Sequence, residues 1–184
     1  LTENRMTAVE LRLARGTIDI EGVGLELRGG FRVDGKSLLA ADDHDLLEAL
    51  SAGVLCSNAT VDTDGEGNAK TSGDPTEVAL LVAGAKAGLE RNALLGESPE
   101  VLELAFDPDT KRMATVHKGQ GKFFAAVKGA PETVVDRCTR LRTPEGTIEF
   151  GEADGAAWLK AADEMAAKGE RVLALATRET GSPT

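Results

Sequence analysis

The chain has 184 residues, a formal net charge of −10 and a pI of about 4.8. The negative net charge argues against the cationic face that a general nucleic-acid-binding protein needs. Aromatic residues make up only 3%, so rings for stacking on bases are also scarce, and we exclude that class. No apolar run approaches the roughly 20 residues that cross a bilayer, and no signal peptide is evident; we therefore expect a single soluble domain.

The first third of the chain predicts short strands followed by a helix. In "AVELRLARG" the apolar residues alternate with charged ones, and "TIDIEG" and "LELRGGFRVDG" continue as short runs separated by glycine. This pattern is typical of antiparallel hairpins. The next stretch, "DDHDLLEALSAGVLC", has helical spacing, with Asp42 or Asp43 as its N-cap.

A polar loop, "NATVDTDGEGNAKTSGD", comes next and has some features of a calcium loop. Asp62, Asp64 and Glu66 alternate, with Gly67 at the sixth position. The twelfth position, where an EF-hand loop needs a bidentate glutamate, is Gly73. We therefore predict a hairpin tip and no metal site.

The segment "GDPTEVALLVAGAKAGLERN" predicts a second helix with a well-marked start. Asp74 is its N-cap, Pro75 takes the first helical position, and Glu77 falls at the third, as in an acidic version of the capping box.

The second half of the chain predicts three successive strands and then a mixture of short elements. The strands are "VLELAF", "MATVHK" and "KFFAAVK"; a short helix, a hairpin, a helix that Gly169 ends and a last buried strand, "RVLALATRE", follow. Because hairpins make most of the strand connections, we predict an α+β fold with an antiparallel sheet flanked by helices.

Three residue types that often carry chemistry, cysteine, histidine and aspartate, have a structural interpretation here. Cys56 and Cys138 match no metal spacing and predict reduced, buried thiols, and His44 and His117 lie in no catalytic pattern. Asp107 and Asp109 follow an apolar strand as in haloacid-dehalogenase-type phosphatases, but Lys111 stands where those enzymes have Thr or Val. A turn is therefore favoured there.

The run from Lys111 to Lys128 contains five cations and no acid. It indicates either a solvated hairpin edge guarded by lysines or a local anion site. In "AAVKGAPETVV" Lys128 ends an apolar strand, Gly129 lacks a side chain that would bar a ligand, and Pro131 begins a helix. With Phe106 ending the strand before Lys111, these residues predict a slot for adenine with cations toward the phosphates.

Five segments, in order, resemble a known family from end to end: "LTENRMT", "GDPTEVALL", "FDPDTKRMATV", "VKGAPETVVDRCT" and "GERVLALATRE". They are similar to the nucleotide-binding domain of type II P-type cation-transporting ATPases, in the bacterial calcium-pump-like group. The resemblance implies one nucleotide-binding domain over residues 1–184. Its short terminal segments, about 1–5 and 179–184, would lead to an absent phosphorylation domain.

The resemblance also implies roles for eight residues, none of them catalytic and none a metal ligand. Around the base, Phe106 would stack on adenine, Glu77 would bind its amino group, and Lys128 would line the floor, with close backbone approach at Gly129 and Ala130. The alternatives are a core role for Phe106 and a helix-capping role for Glu77.

The other implied residues face the phosphates and the ribose. Lys111 and Arg171 would reach toward the phosphates, and Leu173 would pack near the base or ribose. Arg171 could instead be a charge after a helix, and Leu173 an ordinary strand residue. Two positions depart from the family: Val78 replaces a common glycine, and Pro108 replaces an arginine of calcium pumps. The His-Pro signature of heavy-metal pumps is absent.

We expect the intact parent to couple ATP hydrolysis to transport of a cation, with calcium suggested by the family branch. ATP or ADP, with Mg²⁺ in the intact pump, would be the ligand, and the partners would be the phosphorylation and actuator domains of the same chain. The domain would lie on the cytoplasmic side of a cell-membrane protein, contact the membrane only through that parent, and be inactive alone with little dependence on Mg²⁺. Two alternatives remain: a stand-alone nucleotide-binding regulatory module, and a small phosphatase using Asp107 and Asp109.

Overall fold

A computed structural model describes residues 6–63, 69–119 and 121–183. The chain forms two compact units, Leu1–Glu97 and Ser98–Thr184. All strand pairs in the described ranges are antiparallel, and five α-helices accompany them. The predicted α+β class is confirmed.

The first unit begins with a four-stranded meander. Its strands, in spatial order, are β1 (Glu10–Leu13), β2 (Gly16–Ile20), β3 (Phe31–Val33) and β4 (Lys36–Leu38). The predicted hairpins are confirmed in this unit. The exception is "LELRGG", which forms no strand before Phe31. The apolar side chains on one face of the sheet are buried together with residues of the following helix, in a core of Ile18, Ile20, Phe31, Leu46 and Leu50.

The first helix, α1, spans His44–Leu55 and begins as predicted. The Asp43 carboxylate accepts a hydrogen bond from the Leu46 amide at 3.0 Å, which satisfies one of the unpaired donors of the first turn. The same carboxylate forms an ion pair with Arg15. A buried acid is thus both a helix cap and a counterion.

The predicted second helix is in fact two helices, α2 (Pro75–Lys86) and α3 (Arg91–Glu97). Gly88, with φ of 79°, ends α2, because the Leu89 amide donates back to the Gly84 carbonyl at 2.9 Å. This is the hydrogen-bond pattern of a Schellman motif. The predicted continuation through Asn92 was wrong because it overlooked that glycine.

A two-stranded ribbon, β5 (Thr60–Thr63) with β6 (Ala69–Ser72), lies between α1 and α2 in sequence. It confirms the predicted hairpin. The calcium-like tip with Asp64, Glu66 and Gly67 lies outside the described residues. No group of three potential metal-ligating side chains occurs in the ranges that the structure describes.

The second unit contains the three predicted strands, β7 (Glu100–Asp107), β8 (Arg112–Gly119) and β9 (Lys122–Gly129). Their sheet has the order β12-β9-β8-β7, with β12 formed by Ala174–Thr180. The last strand was predicted to be buried, but it is an edge strand with exposed residues from Thr177 to Glu179. It also extends into the segment predicted to lead out of the domain.

Between β9 and β12 the chain forms α4 (Pro131–Val135), a hairpin of β10 (Arg140–Thr143) and β11 (Gly146–Glu149), and α5 (Glu152–Ala167). Gly169 follows α5 with φ of 87°, as predicted for a helix end. None of the helices in the described part of the chain is long and apolar enough to cross a membrane.

The two cysteines are unbridged, as predicted. Cys56 is fully buried, whereas Cys138 is only partly so. The Cys138 thiol donates to the Val134 carbonyl at 3.4 Å, and its desolvation raises the pKa of that thiol. Neither cysteine is in the environment that activates a nucleophile.

We predict that Gly84→Ala destabilises the first unit. An added Cβ would collide with a methyl group of Val54, which is fully buried on α1. Overpacking of this kind lowers the free energy of unfolding by about 1–3 kcal/mol. Urea denaturation followed by circular dichroism measures the change.

Gly96→Ala is the matched control, because a Cβ there has no neighbour within 4 Å. Helix propensity should make that variant neutral or more stable, by up to about 1 kcal/mol. Equal effects of the two substitutions would show that α1 and α2 are not in the close contact described.

Candidate functional site

One face of the second unit's sheet carries a row of four residues from four adjacent strands. Met113 on β8 pairs with Lys128 on β9, and Lys128 pairs with Leu175 on β12. Directly paired residues point to the same face of a sheet. On the other side of Met113 the row continues with Phe106 on β7.

Phe106 joins this row because of a β-bulge. Leu104 pairs with Ala114 and Asp107 pairs with Arg112, so Ala105 and Phe106 together oppose the single residue Met113. Counted back from Asp107, Phe106 points to the face of Met113 and Lys128. Two strand spacings place the backbones of Phe106 and Lys128 about 10 Å apart.

The members of this row differ greatly in exposure. Phe106 is 60% exposed, so it is not a core residue. Lys128, in contrast, is 8% exposed. Burial of an ammonium is costly unless other groups compensate for its lost hydration. An exposed aromatic ring and a nearly buried cation therefore lie on one face of the sheet.

Gly129 has a packing role within the sheet. A Cβ at this position would lie 2.6 Å from the Lys111 carbonyl oxygen and 2.7 Å from Arg112 Cβ. The space that a side chain would need is therefore filled by the start of the chain's own β8, and a close approach of a ligand to the Gly129 backbone stays a prediction. The glycine allows the end of β9 to approach the start of β8.

Lys111 and Ala130 are held together by this approach. The Ala130 amide donates to the Lys111 carbonyl at 2.9 Å, and Lys111 has a left-handed φ of 50°. Its ammonium pairs with Glu132 on α4, with Nζ and Oε1 3.1 Å apart. The backbone amide of Glu132 itself, and next the Lys111 ammonium, hold the pKa of that carboxyl below its usual range.

Arg171 and Leu173 lie at the same end of the sheet as Gly129. Both precede β12, whose first residue, Ala174, pairs with Gly129. Leu173 is partly buried and Arg171 is exposed. The structure thus places seven of the eight predicted residues in the second unit, and Lys111, Lys128, Gly129, Ala130 and Leu173 cluster around the end of β9.

Glu77 belongs to the first unit, and its carboxylate accepts hydrogen bonds from backbone amides of the same unit. Its Oε2 atom accepts hydrogen bonds from the backbone amides of Asn58 and Ala59, at 2.8 and 2.9 Å. Asp74 caps α2 as predicted, accepting from the amides of Thr76 and Glu77. Glu77 therefore anchors the segment that follows α1.

Val78, the predicted departure from the family, is a core residue. It is 6% exposed and packs with Val54, Ala59 and Leu81. A valine at this position therefore adds apolar contact between α1 and α2.

The cationic run divides into two groups. Lys118 and Lys122 lie at the far end of the β8–β9 hairpin, where Lys122 pairs with Glu179 at 3.4 Å. Lys118 lies 6.0 Å from the centroid of the Phe123 ring, on the other face of the sheet. Lys118 and Lys122 therefore fit the prediction of a hairpin edge guarded by lysines. Of the five cations, Lys111, Arg112 and Lys128 lie near the candidate site.

Asp107 forms the predicted turn. Its carboxylate accepts from the Asp109 amide at 2.9 Å and from the Thr110 hydroxyl at 3.1 Å. The Asp109 amide is the main cause of a lowered pKa for Asp107. Because the folded pKa is depressed, the turn is stabilised at neutral pH and loses that contribution as the pH falls through the folded pKa.

His117 is a structural residue, as predicted. It is fully buried, and its Nδ1 and Nε2 atoms lie 3.1 Å from the Ser98 carbonyl and 2.8 Å from the Thr115 hydroxyl. Its ring stacks on Phe124 with centroids 5.5 Å apart. Both ring nitrogens are engaged in positioning the sheet.

Sequence reasoning missed two residues of this region, Met113 and Glu132. Met113 lies between Phe106 and Lys128 in the row, and the alternation in "RMATVHK" could have identified its face. Glu132 follows Pro131 in the first turn of α4, but nothing local in the sequence indicates that its partner lies 21 residues earlier.

We predict that Gly129→Ala destabilises the second unit by about 1–3 kcal/mol, because backbone atoms of β8 cannot move aside as a flexible side chain would. Gly155→Ala on α5 is the control, since its Cβ would make an ordinary contact of 3.6 Å with Val135. Urea denaturation of both variants measures the difference. A fully stable Gly129→Ala variant would contradict the contact with Lys111.

Comparison with known proteins identifies relatives of this chain. The family model for "P-type ATPase, cytoplasmic domain N" matches residues 45–183. "Cation-transporting ATPase pma1" of Synechocystis sp. is 33% identical over 186 aligned positions, which include 97% of this chain and 20% of that protein.

Two further relatives are named as calcium transporters. "Calcium-transporting ATPase 1" of Bacillus cereus is 36% identical over 70% of this chain and 14% of its own length. "Calcium-transporting ATPase" of Bacillus subtilis is 27% identical over 97% of this chain and 20% of its own. The chain thus spans about a fifth or less of these relatives, and it belongs to the cytoplasmic N-domain family of the P-type ATPases.

Proposed function

We propose that this chain is the ATP-binding domain of a cation-transporting P-type ATPase, over residues 1–184. In the parent it would bind ATP and present the γ-phosphate to an aspartate on a neighbouring phosphorylation domain. The actuator domain of the same chain would be its other partner. Calcium is the proposed cargo, because two of the relatives carry that word in their names.

The observation that carries the proposal is that Phe106 and Lys128 lie on one face of one sheet. A purine ring can stack on the exposed phenyl group, because stacking needs only an accessible aromatic face. On the same face Lys128, which is 8% exposed, would line the floor of the slot, and the neighbouring Met113, which is 2% exposed, would support it from below. Other residues of the proposed site extend it toward the ribose and phosphates: Lys111, Arg171 and Leu173.

The proposed role of Glu77 is compatible with its hydrogen bonds. An ionised carboxylate has about four lone-pair directions, and the amides of Asn58 and Ala59 both use Oε2. The amino group of adenine is a hydrogen-bond donor, so it is a suitable further partner for this side chain. The two amides would fix the carboxylate's orientation before the nucleotide binds.

The chain would bind nucleotide without turning it over. The proposed mechanism assigns it no catalytic residue, because the phosphate acceptor would be an aspartate outside this sequence. Closure of the neighbouring domains on the bound ATP would complete the active site. The contribution of this chain would be to hold adenine and direct the phosphates outward, which is positioning rather than bond breaking.

We predict that Phe106→Ala weakens ATP binding about 5- to 150-fold, corresponding to the loss of one base–aromatic stack. Leu104→Ala is the matched control: Leu104 is on the same strand and 56% exposed, but it points to the opposite face. Titration of the isotope-labelled chain with ATP, followed by NMR, gives both affinities and the residues whose signals shift.

In wild type the shifts should cluster near residues 77, 106, 128 and 171. Lys128→Met, which keeps the length of the buried side chain, should also weaken binding. Shifts on the face of Leu104, or equal effects of Leu104→Ala and Phe106→Ala, would contradict the proposed site.

We also predict that Mg²⁺ changes the affinity of the isolated chain for ATP little. In the proposed site the metal would bind through the phosphates, and full coordination would need carboxylates of the phosphorylation domain. Calorimetric titration with ATP, with and without excess Mg²⁺, checks this. A large gain in affinity with Mg²⁺ would point to a metal ligand within this chain.

A further inference from the structure

The ammonium proposed to bind phosphate, that of Lys111, is already paired with a carboxylate. Its Nζ atom lies 3.1 Å from Glu132 Oε1, and the two side chains are 58% and 56% exposed. Both groups therefore reach solvent, and an incoming anion can approach the ammonium. A phosphate and this carboxylate offer the same kind of charge-assisted hydrogen bond to lysine.

The pairing is a consequence of how the backbone is joined at this point. The Lys111 carbonyl accepts from the Ala130 amide, and Ala130 is the N-cap of α4, which carries Glu132 in its first turn. The Thr133 hydroxyl donates to the Ala130 carbonyl at 3.0 Å and holds the same turn. The two side chains are thus attached to backbone segments in direct contact, although 21 residues separate them in sequence.

Glu132 stays ionised at neutral pH. Its own backbone amide, and then Lys111, lower the pKa of the carboxyl, so protonation would weaken the pair only at acidic pH. The carboxylate therefore carries its negative charge beside Lys111 under the conditions in which ATP binds.

We infer that Glu132 competes with the nucleotide's phosphates for Lys111 and thereby lowers the affinity of the site for ATP. The inference rests on the proposed function, because it needs ATP phosphates near Lys111. When ATP binds, the Lys111 ammonium would exchange the Glu132 carboxylate for a phosphate. The released carboxylate would keep the hydrogen bond from the backbone amide of Glu132. Binding would then be weaker than if Lys111 had no carboxylate nearby, which favours release of ADP after transfer.

The test compares Glu132→Gln with Glu179→Gln. Glu179 forms the matched pair with Lys122, at 3.4 Å and on the same unit, so its variant makes the same change of net charge at the other end of the hairpin. Affinities for ATP and for adenosine, which has no phosphate, are measured by calorimetry. Thermal unfolding of each variant verifies that it is folded, and Glu132→Ala serves as a second variant.

Glu132→Gln should bind ATP about two- to five-fold more tightly than wild type, a change typical of an exposed ion pair. Its affinity for adenosine should be unchanged, and Glu179→Gln should have a smaller effect on ATP. In a Lys111→Gln background, the gain from Glu132→Gln should disappear.

Each contrary result overturns a different statement. If wild type binds neither ATP nor adenosine, the proposed function fails. If wild type binds ATP but Glu132→Gln behaves like Glu179→Gln, the competition fails and the proposed function stands. A gain that extends to adenosine, or that persists without Lys111, would show that Glu132 acts by some route other than the phosphates.

Discussion

The contact between the end of β9 and the start of β8 determines the geometry of the candidate site. Residue 129 has no side chain, so the Lys111 carbonyl can approach closely enough to accept a hydrogen bond from the Ala130 amide at 2.9 Å. That single approach fixes Lys111, ends the strand that carries Lys128, and sets where α4 begins. Backbone packing therefore positions Lys111 and Lys128 before any ligand binds.

A second constraint, the bulge in β7, determines which face the aromatic ring occupies. One additional residue between the pairs at Leu104 and Asp107 puts Phe106 on the face of Met113 and Lys128. A regular strand continued from Leu104 would direct that ring to the opposite face. The ring and the buried ammonium are thus brought to one side of the sheet by register, and the proposed nucleotide site depends on both constraints together.

Local signals in the sequence predicted local structure well. The caps at Asp43 and Asp74, the three successive strands β7, β8 and β9, and the turn at Asp107 are each indicated by residues close together in the sequence. Features that depend on distant partners were missed: the clash that requires Gly129, the pairing of Glu132 with Lys111, and the amides that anchor Glu77. The bulge has no local signature, because it is a mismatch between two strands. The early end of α2 is different, since Gly88 was available as a signal.

The most direct test of the central claim is the measurement of intermolecular nuclear Overhauser effects between ATP and the labelled chain. The account predicts contacts from adenine H2 and H8 to the ring protons of Phe106 and to methylene protons of Lys128. Contacts from adenine to Leu104 or Phe123 would contradict it, because those side chains point to the other face of the sheet.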